Sequence, residues 1–155
     1  MVGLAEVDLE DAFLEKEWVM VIQTPVQGKE SLLEALGKGV DLKQGHYDCC
    51  LHVSAASEQQ FRALEGSHAG AEQTIQSVPV VDITISIAQD TQRLEQTLSI
   101  IFANHVHEEP TIRISECWGT RSNYTGNKDN PSKYWNRPDA QAIHGTAISE
   151  KVHEE

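Results

Sequence analysis

Apolar and polar residues alternate most regularly along residues 78–87. Four apolar side chains there occupy every second position: Val81, Ile83, Ile85 and Ile87. The residues between them are polar, so this period of two predicts a β-strand with one buried and one polar face. Three further segments rich in apolar, aromatic or β-branched residues are also typical of strands: 17–24, 46–54 and 111–118. In the last of these, Ile112 and Ile114 are expected to point into the core.

Two other segments repeat their apolar residues at helical spacing. A helix is expected over 28–38 and a second over 91–104, the latter with Asp90 or Thr91 as its N-cap. The apolar face of the first helix consists of Leu32, Leu33, Leu36 and Val40. The apolar face of the second consists of Leu94, Leu98, Ile101 and Phe102.

Strands and helices therefore follow one another in the order β-α-β-β-α-β. Two strand–helix–strand units with right-handed crossovers give an α+β, ferredoxin-like βαββαβ sandwich, in which a four-stranded antiparallel sheet carries both helices on one face. Residues 55–77 are expected to be a long hairpin connection. We divide the chain into an N-terminal arm at 1–16, the ferredoxin-like domain at 17–118, and an aromatic C-terminal extension and tail at 119–155.

The composition excludes some classes of function. The 155 residues include 24 acidic and 12 basic side chains, a net charge of −12, whereas proteins that bind DNA or RNA need clustered Lys and Arg. We therefore expect no nucleic-acid partner, and instead cations, small molecules or further copies of the chain. No apolar run approaches the roughly 18 residues of a membrane-spanning helix, so no membrane partner is expected.

The N-terminal residues and the cysteines predict the compartment. The first residues are acidic and lack the basic and then apolar stretches of a signal peptide. The chain has three cysteines, an odd number, and adjacent cysteines such as Cys49 and Cys50 rarely bridge one another without strain. Such a set of cysteines is typical of a reducing compartment, so we expect the protein to be cytoplasmic.

Imidazole and carboxylate groups are concentrated between the second helix and the last strand, at His105, His107, Glu108 and Glu109. These groups are good ligands for divalent metals such as copper, zinc or manganese. One segment supplies two or three ligands, so a closed metal site would need another. The candidates for it are His46, Cys49, Cys117 or a side chain of a neighbouring subunit. The alternative is a solvated corner that sets the direction of the chain before Pro110.

Other residues that could bind a ligand fall into two groups. Cys49 and Cys50 lie on a predicted strand and therefore face opposite sides, one toward the core. In the same segment His46, Tyr47 and Asp48 are candidates either for ligand binding or for turn formation and packing. Aromatic residues gather around the last strand and its tail: Trp118, Tyr124, Tyr134 and Trp135. They either stack on a ligand, with Trp118 as the candidate on the strand, or anchor the tail across a neighbouring surface.

Three segments of the sequence resemble motifs of one protein family. Residues 45–50, GHYDCC, are similar to the motif G-x-Y-D-x-C. Residues 61–66, FRALEG, are similar to F-x-P-x-x-G, with alanine in place of the proline, and residues 105–110, HVHEEP, are similar to H-P-Y-E-E-P. Their order and spacing agree, and over about residues 17–118 the chain resembles the CutA-like insert domain of the Nif-three (NGG-interacting factor) family.

The resemblance implies a fold, an assembly and a class of function. Related CutA-like and PII-like proteins are ferredoxin-like homotrimers, which implies here a non-enzymatic binding or regulatory protein with a divalent metal or small ligand in the clefts between subunits. The segments that supply the metal ligands of full-length Nif-three proteins have no counterpart in this sequence, so the resemblance does not imply a dimetal hydrolase-like site. Two alternatives stay open: an enzyme resembling GTP cyclohydrolase, and a protein-interaction module without a ligand.

Overall fold

The structure of the chain is a computed structural model that describes residues 3–125 and 128–145. Within these residues one sheet contains five strands: β1 (Ala12–Pro25), β2 (His52–Val53), β3 (Ser57–Phe61), β4 (Gln76–Ala88) and β5 (Thr111–Ser122). The α-helices of the described part are α1 (Lys29–Gly39), α2 (Thr91–Asn104) and α3 (Ala140–His144). None of these helices is long and apolar enough to cross a membrane.

The strands are ordered β2-β4-β1-β5 across the sheet. β1, β2 and β3 each pair with β4 in antiparallel fashion, and β2 and β3 occupy successive parts of the β4 edge that β1 leaves open. They act as two halves of one interrupted strand, so the sheet has the four strand positions of a ferredoxin-like fold. The predicted α+β, ferredoxin-like class is confirmed.

The core lies between the sheet and the first two helices. β1 and β4 pair with Met20 opposite Ile85 and Ile22 opposite Ile83, and all four side chains are buried. The helices add the buried side chains Leu32, Leu36 and Ile101 to the same cluster. Full burial of one such side chain contributes about 1.5–3 kcal/mol to folding, so this cluster is the main attachment of α1 and α2 to the sheet.

α2 begins at its predicted cap, because the carboxylate of Asp90 accepts a hydrogen bond from the N–H of Arg93 at 3.1 Å. Its predicted apolar face is wrong in one position: Phe102 is 58% exposed, and Thr97 is buried. Each residue turns an α-helix by about 100°. Phe102 therefore points away from the direction of the buried Ile101, whereas Thr97 lies about one turn before Ile101 on the same side.

Most of the segment expected to be the second strand, 46–54, is not a strand, and it begins in a tight turn. Backbone hydrogen bonds join Gln44 and Tyr47 in both directions, at 2.8 and 3.0 Å, and Gly45 between them has a φ of 59°. A positive φ at the first central position is required by the tight turns that connect hairpin strands. Pairing with β4 begins only at β2, and residues 57–61, which were expected to lie in a connection, form β3.

β1 and β5 extend beyond the predicted strands 17–24 and 111–118. An ion-pair network joins their ends, because the guanidinium of Arg121 on β5 lies 3.1 Å from a carboxylate oxygen of Glu15 and 3.0 Å from one of Glu17. Glu17 is only 5% exposed, and a carboxylate buried to that degree is tolerated when it is paired. The network therefore fixes the relative position of the two strands at this end of the sheet.

β5 is the last strand in the order and has a neighbour on one side only. Ile112 packs against the core as predicted, whereas Ile114 is 44% exposed. At an edge strand no second flanking strand is present to cover such a side chain. The prediction that Ile114 points into the core is therefore wrong.

The described residues form two compact units. The first comprises Leu14–Arg121 with residues 3–7 and contains the whole core cluster. The second comprises Asp8–Phe13 and the described residues after Arg121. The predicted division into arm, domain and extension stays a prediction, and the part of the predicted tail beyond residue 145 lies outside the described residues.

We expect Gly119→Ala to destabilise the fold by about 1–3 kcal/mol, measured by urea unfolding. A Cβ added at Gly119 would lie 1.5 Å from Oε1 of Glu17, so the carboxylate would have to leave its place beside Arg121. In a Glu17→Ala background the obstructing side chain is gone, and the cost of Gly119→Ala should largely disappear. A double-mutant cycle measures this coupling, and additive effects of the two substitutions would contradict the explanation.

Candidate functional site

A pocket of about 800 Å³ lies between two segments that are far apart in sequence. One wall comes from the end of β3 and the loop that follows it, residues 59–69. The other comes from residues 106–111, between α2 and the start of β5. The pocket therefore brings together parts of two segments that resemble Nif-three motifs, 61–66 and 105–110.

The wall made by residues 59–69 is positioned by strand pairing and by turns. β3 pairs with β4 along its whole length, which places the start of this wall on the edge of the sheet. The chain then turns at Gly66 and Gly70, whose φ values of 100° and 73° are ones that glycine adopts without steric strain. Gln59 connects the two walls, because its Nε2 donates a hydrogen bond to Oγ1 of Thr111 at 3.1 Å.

His105 anchors the second wall at the end of α2. Its backbone N–H donates to the carbonyl of Ile101 at 2.8 Å, and its ring Nε2 lies 2.7 Å from the carbonyl oxygen of Gln23 on β1. Its Nδ1 accepts a hydrogen bond from the N–H of His107 at 3.0 Å. A carbonyl oxygen can only accept, so Nε2 carries the ring proton and both ring nitrogens are engaged with backbone groups. The side chain thereby fixes the direction of the corner between α2 and β5.

His107 faces the pocket and is half-buried. Its ring contacts Phe61 edge-on, with centroids 5.9 Å apart, and lies 5.6 Å from the ring of His105. Burial lowers the pKa of His107, and the nearby imidazole of His105 lowers it further. At neutral pH the ring is therefore neutral, and it can offer one nitrogen as a hydrogen-bond acceptor.

An ion pair joins the two walls of the pocket at its rim. The carboxylate of Glu108 accepts a hydrogen bond from the backbone N–H of His68 at 2.9 Å, and its other oxygen pairs with Nδ1 of the same histidine. The hydrogen bond to Glu108 raises the pKa of His68, and its charge adds to the effect. In turn the hydrogen bonds from His68 lower the pKa of Glu108.

The predicted metal ligands do not form a cluster within one chain. Among residues 3–125 and 128–145, no three His, Cys, Asp or Glu side chains are placed to hold one ion. Glu108 is paired with His68 and both ring nitrogens of His105 are engaged, which leaves His107 and Glu109. A metal at this segment would need ligands from another copy of the chain, so the metal site stays a prediction.

The other predicted site residues do not line the pocket. The connection between α1 and β2 contains His46, Tyr47, Asp48 and Cys49. Because Cys49 and Cys50 do not lie on a strand, the argument that placed them on opposite faces of one does not apply. Trp118 lies on β5, where the ammonium of Lys16 is 5.5 Å from its ring centroid, a typical cation–π distance. The roles of these residues in ligand binding stay predictions.

The aromatic residues of the C-terminal extension form a small cluster within the second unit. The ring of Tyr134 stacks on His144 with centroids 3.9 Å apart, and Trp135 contacts Tyr134 edge to face. Nε1 of Trp135 donates a hydrogen bond to the carbonyl of Lys128 at 3.1 Å. These rings therefore pack on one another inside their own unit.

Among the residues that line the pocket, only His107, Glu108 and Glu109 were predicted as site residues. Those that were not include Gln59, Phe61 and His68. Phe61 begins the segment FRALEG, and its resemblance to a family motif is a signal that could have marked it. The two glycines that flank His68, Gly66 and Gly70, indicate a turn but not a site. No local pattern marks Gln59, because its place in the pocket depends on the pairing of β3.

We expect the His68–Glu108 pair to be strongest between the lowered pKa of Glu108 and the raised pKa of His68. Above that pKa of His68 the imidazole loses its charge, and below that pKa of Glu108 the carboxylate is protonated, so stabilisation is lost at both ends of this window. Glu108→Gln should move the pKa of His68 down toward its ordinary value of about 6.5, as measured by NMR titration. The exposed His52 serves as the internal control. An unchanged His68 titration would contradict the pairing.

Comparisons with known proteins support the fold and not a specific activity. No protein-family model matches the sequence, and no curated protein sequence matches it. The structure is similar to that of a Bacillus cereus protein related to NIF3, with a TM-score of 0.57 and 19% identity, over 76% of this chain and 31% of that chain. The chain thus spans 31% of the length of that protein, and at this identity the similarity shows a shared fold.

Two other structural neighbours belong to the groups expected from the sequence. CutA1 from Oryza sativa matches with a TM-score of 0.48 and 13% identity, over 67% of this chain and 82% of that chain. B. subtilis GlnK matches with a TM-score of 0.43 and 15% identity, over 66% of this chain and 86% of that chain. The similarity to the protein related to NIF3 confirms, at the level of fold, the resemblance stated from the three sequence segments.

Proposed function

We propose that this chain is a non-enzymatic binding or regulatory protein and that it holds a small molecule in the pocket between residues 59–69 and 106–111. The observation that carries the proposal is the pocket itself, with a volume of about 800 Å³. Pockets for small ligands have volumes of roughly 300–1,000 Å³ and combine apolar walls with a few polar groups. This pocket has both features.

The apolar part of the pocket supports binding. Phe61, Leu64 and Val106 are 41%, 65% and 58% exposed, and all three line the pocket. Large apolar side chains left in water cost free energy that a bound ligand recovers when it covers them. A cluster of such residues around a concavity is therefore more typical of a binding site than of an ordinary surface.

Three of the polar groups at the pocket are engaged within the protein. His105 is engaged by two backbone groups, and His68 and Glu108 are engaged with one another. In the proposed role these three side chains position the walls of the pocket. The enzyme alternative rests on similarity to a protein of which this chain spans 31% of the length, so a nucleotide hydrolysis assay is its direct test.

We expect a panel of small molecules to shift NMR amide signals that cluster around residues 59–69 and 106–111. Ala69→Trp should abolish these shifts, because Ala69 lines the pocket and the indole would fill it. Ala71→Trp is the matched control, since Ala71 lies two residues further along the same loop and does not line the pocket. Ligands that bind elsewhere, or that bind Ala69→Trp as well as the natural chain, would place the site outside this pocket.

We also propose that the chain forms a homotrimer and that a divalent metal can bind between copies. β5 supports self-association, because it is a long edge strand with one side open to pairing, a position that invites contact with another chain. His107 and Glu109 supply two ligands, and a second copy would have to complete the site. Neutral imidazole is required for ligation, so metal binding should weaken as pH falls.

Light scattering should give the mass of a trimer at micromolar concentration, and calorimetry should show binding of copper, zinc or manganese to it. His107→Ala should weaken metal binding at least about tenfold, and His52→Ala, which removes an exposed histidine outside the site, should not. A monomer under these conditions would overturn the assembly. Metal binding equal in His107→Ala and the natural chain would overturn the metal site.

A further inference from the structure

The charged side chains around the pocket divide into a paired and an unpaired set. His68 and Glu108 neutralise one another at the rim. Arg62 and Glu109 also line the pocket, and neither forms an ion pair with any residue in the described part of the chain. The pocket therefore offers one unengaged positive charge and one unengaged negative charge.

This combination discriminates between classes of ligand. A simple anion would be attracted by Arg62 and repelled by Glu109. A simple cation would be attracted by Glu109 and repelled by Arg62. The charges of Arg62 and Glu109 sum to zero, and a ligand that carries both signs can use both side chains.

The apolar wall sets the remaining part of the ligand. Phe61, Leu64 and Val106 surround the same pocket and are well exposed. Aromatic rings pack favourably against phenylalanine and aliphatic side chains. The ligand should therefore carry an apolar or aromatic group beside its two charges.

We propose that the pocket binds a small zwitterion with an apolar or aromatic side chain, the chemistry of a free α-amino acid. The carboxylate pairs with Arg62, and the ammonium group donates to Glu109. The side chain lies against Phe61, Leu64 and Val106. This assignment rests on the proposed function, since it names the ligand class of the same pocket.

Three probes test the assignment by calorimetry at low ionic strength: L-phenylalanine, L-phenylalaninamide and N-acetyl-L-phenylalanine. The amide lacks the carboxylate and the acetyl derivative lacks the ammonium group, while all three keep the ring. We expect L-phenylalanine to bind about five- to tenfold more tightly than either analogue. Equal affinities, or no binding of any of the three probes, would overturn the zwitterion assignment.

Charge-neutral variants locate each contact. Arg62→Gln should remove the preference for L-phenylalanine over its amide and keep the preference over the acetyl derivative. Glu109→Gln should remove the preference for L-phenylalanine over the acetyl derivative and keep the preference over the amide. Arg93→Gln is the control, because Arg93 pairs with Asp41 and does not line the pocket. If Arg62→Gln and Glu109→Gln both leave the two preferences unchanged, the assignment of charges is wrong.

The outcome is separable from that of the proposed function. Other small molecules that bind in the pocket and are lost in Ala69→Trp would uphold the binding function, even where L-phenylalanine and its analogues bind equally or not at all. That result would overturn the ligand class alone. Shifts by every ligand of the panel at sites away from the pocket would overturn both.

Discussion

The pairing of β1 with β4 is the constraint on which the rest of the structure depends. Met20 lies opposite Ile85 and Ile22 opposite Ile83, so the centre of one face of these two long strands is apolar. A shift of one residue would turn one strand over relative to the other, so that the polar residues of β4 would face the helices beside Met20 and Ile22. The hydrophobic pattern therefore excludes a shift by one residue.

The corner that forms one wall of the pocket depends on this register. Gln23 lies three residues after Met20 on β1, and its carbonyl oxygen accepts a hydrogen bond from Nε2 of His105 at 2.7 Å. That bond fixes the end of α2 relative to the sheet, and His107 follows within two residues. The other wall depends on β4 as well, because β3 pairs with it from Gln76 to Val80. One wall of the pocket is therefore positioned by β1, and the other by the pairing of β3 with β4.

The order of elements could be predicted from the sequence, because period-two and helical spacing are local signals. The second strand could not be placed, because the turn at Gly45 takes up residues whose composition is typical of a strand. The site follows the same rule. His107, Glu108 and Glu109 stand out as a local cluster of polar groups, whereas the contact of Glu108 with His68 spans 40 residues and depends on where β3 pairs. Which side chain pairs with which depends on tertiary structure and cannot be predicted from the local sequence.

The acidic excess of the chain bears on which ligand the unengaged arginine of the pocket can bind. The chain has 24 acidic and 12 basic residues, and some of its basic side chains are paired, as Arg121 is with two carboxylates. Arg62 has no such partner among the described residues, although Glu109 lines the same pocket. The field of a chain with net charge −12 disfavours free anions near its surface. A ligand that brings its own positive charge together with its carboxylate avoids that repulsion and still uses the arginine.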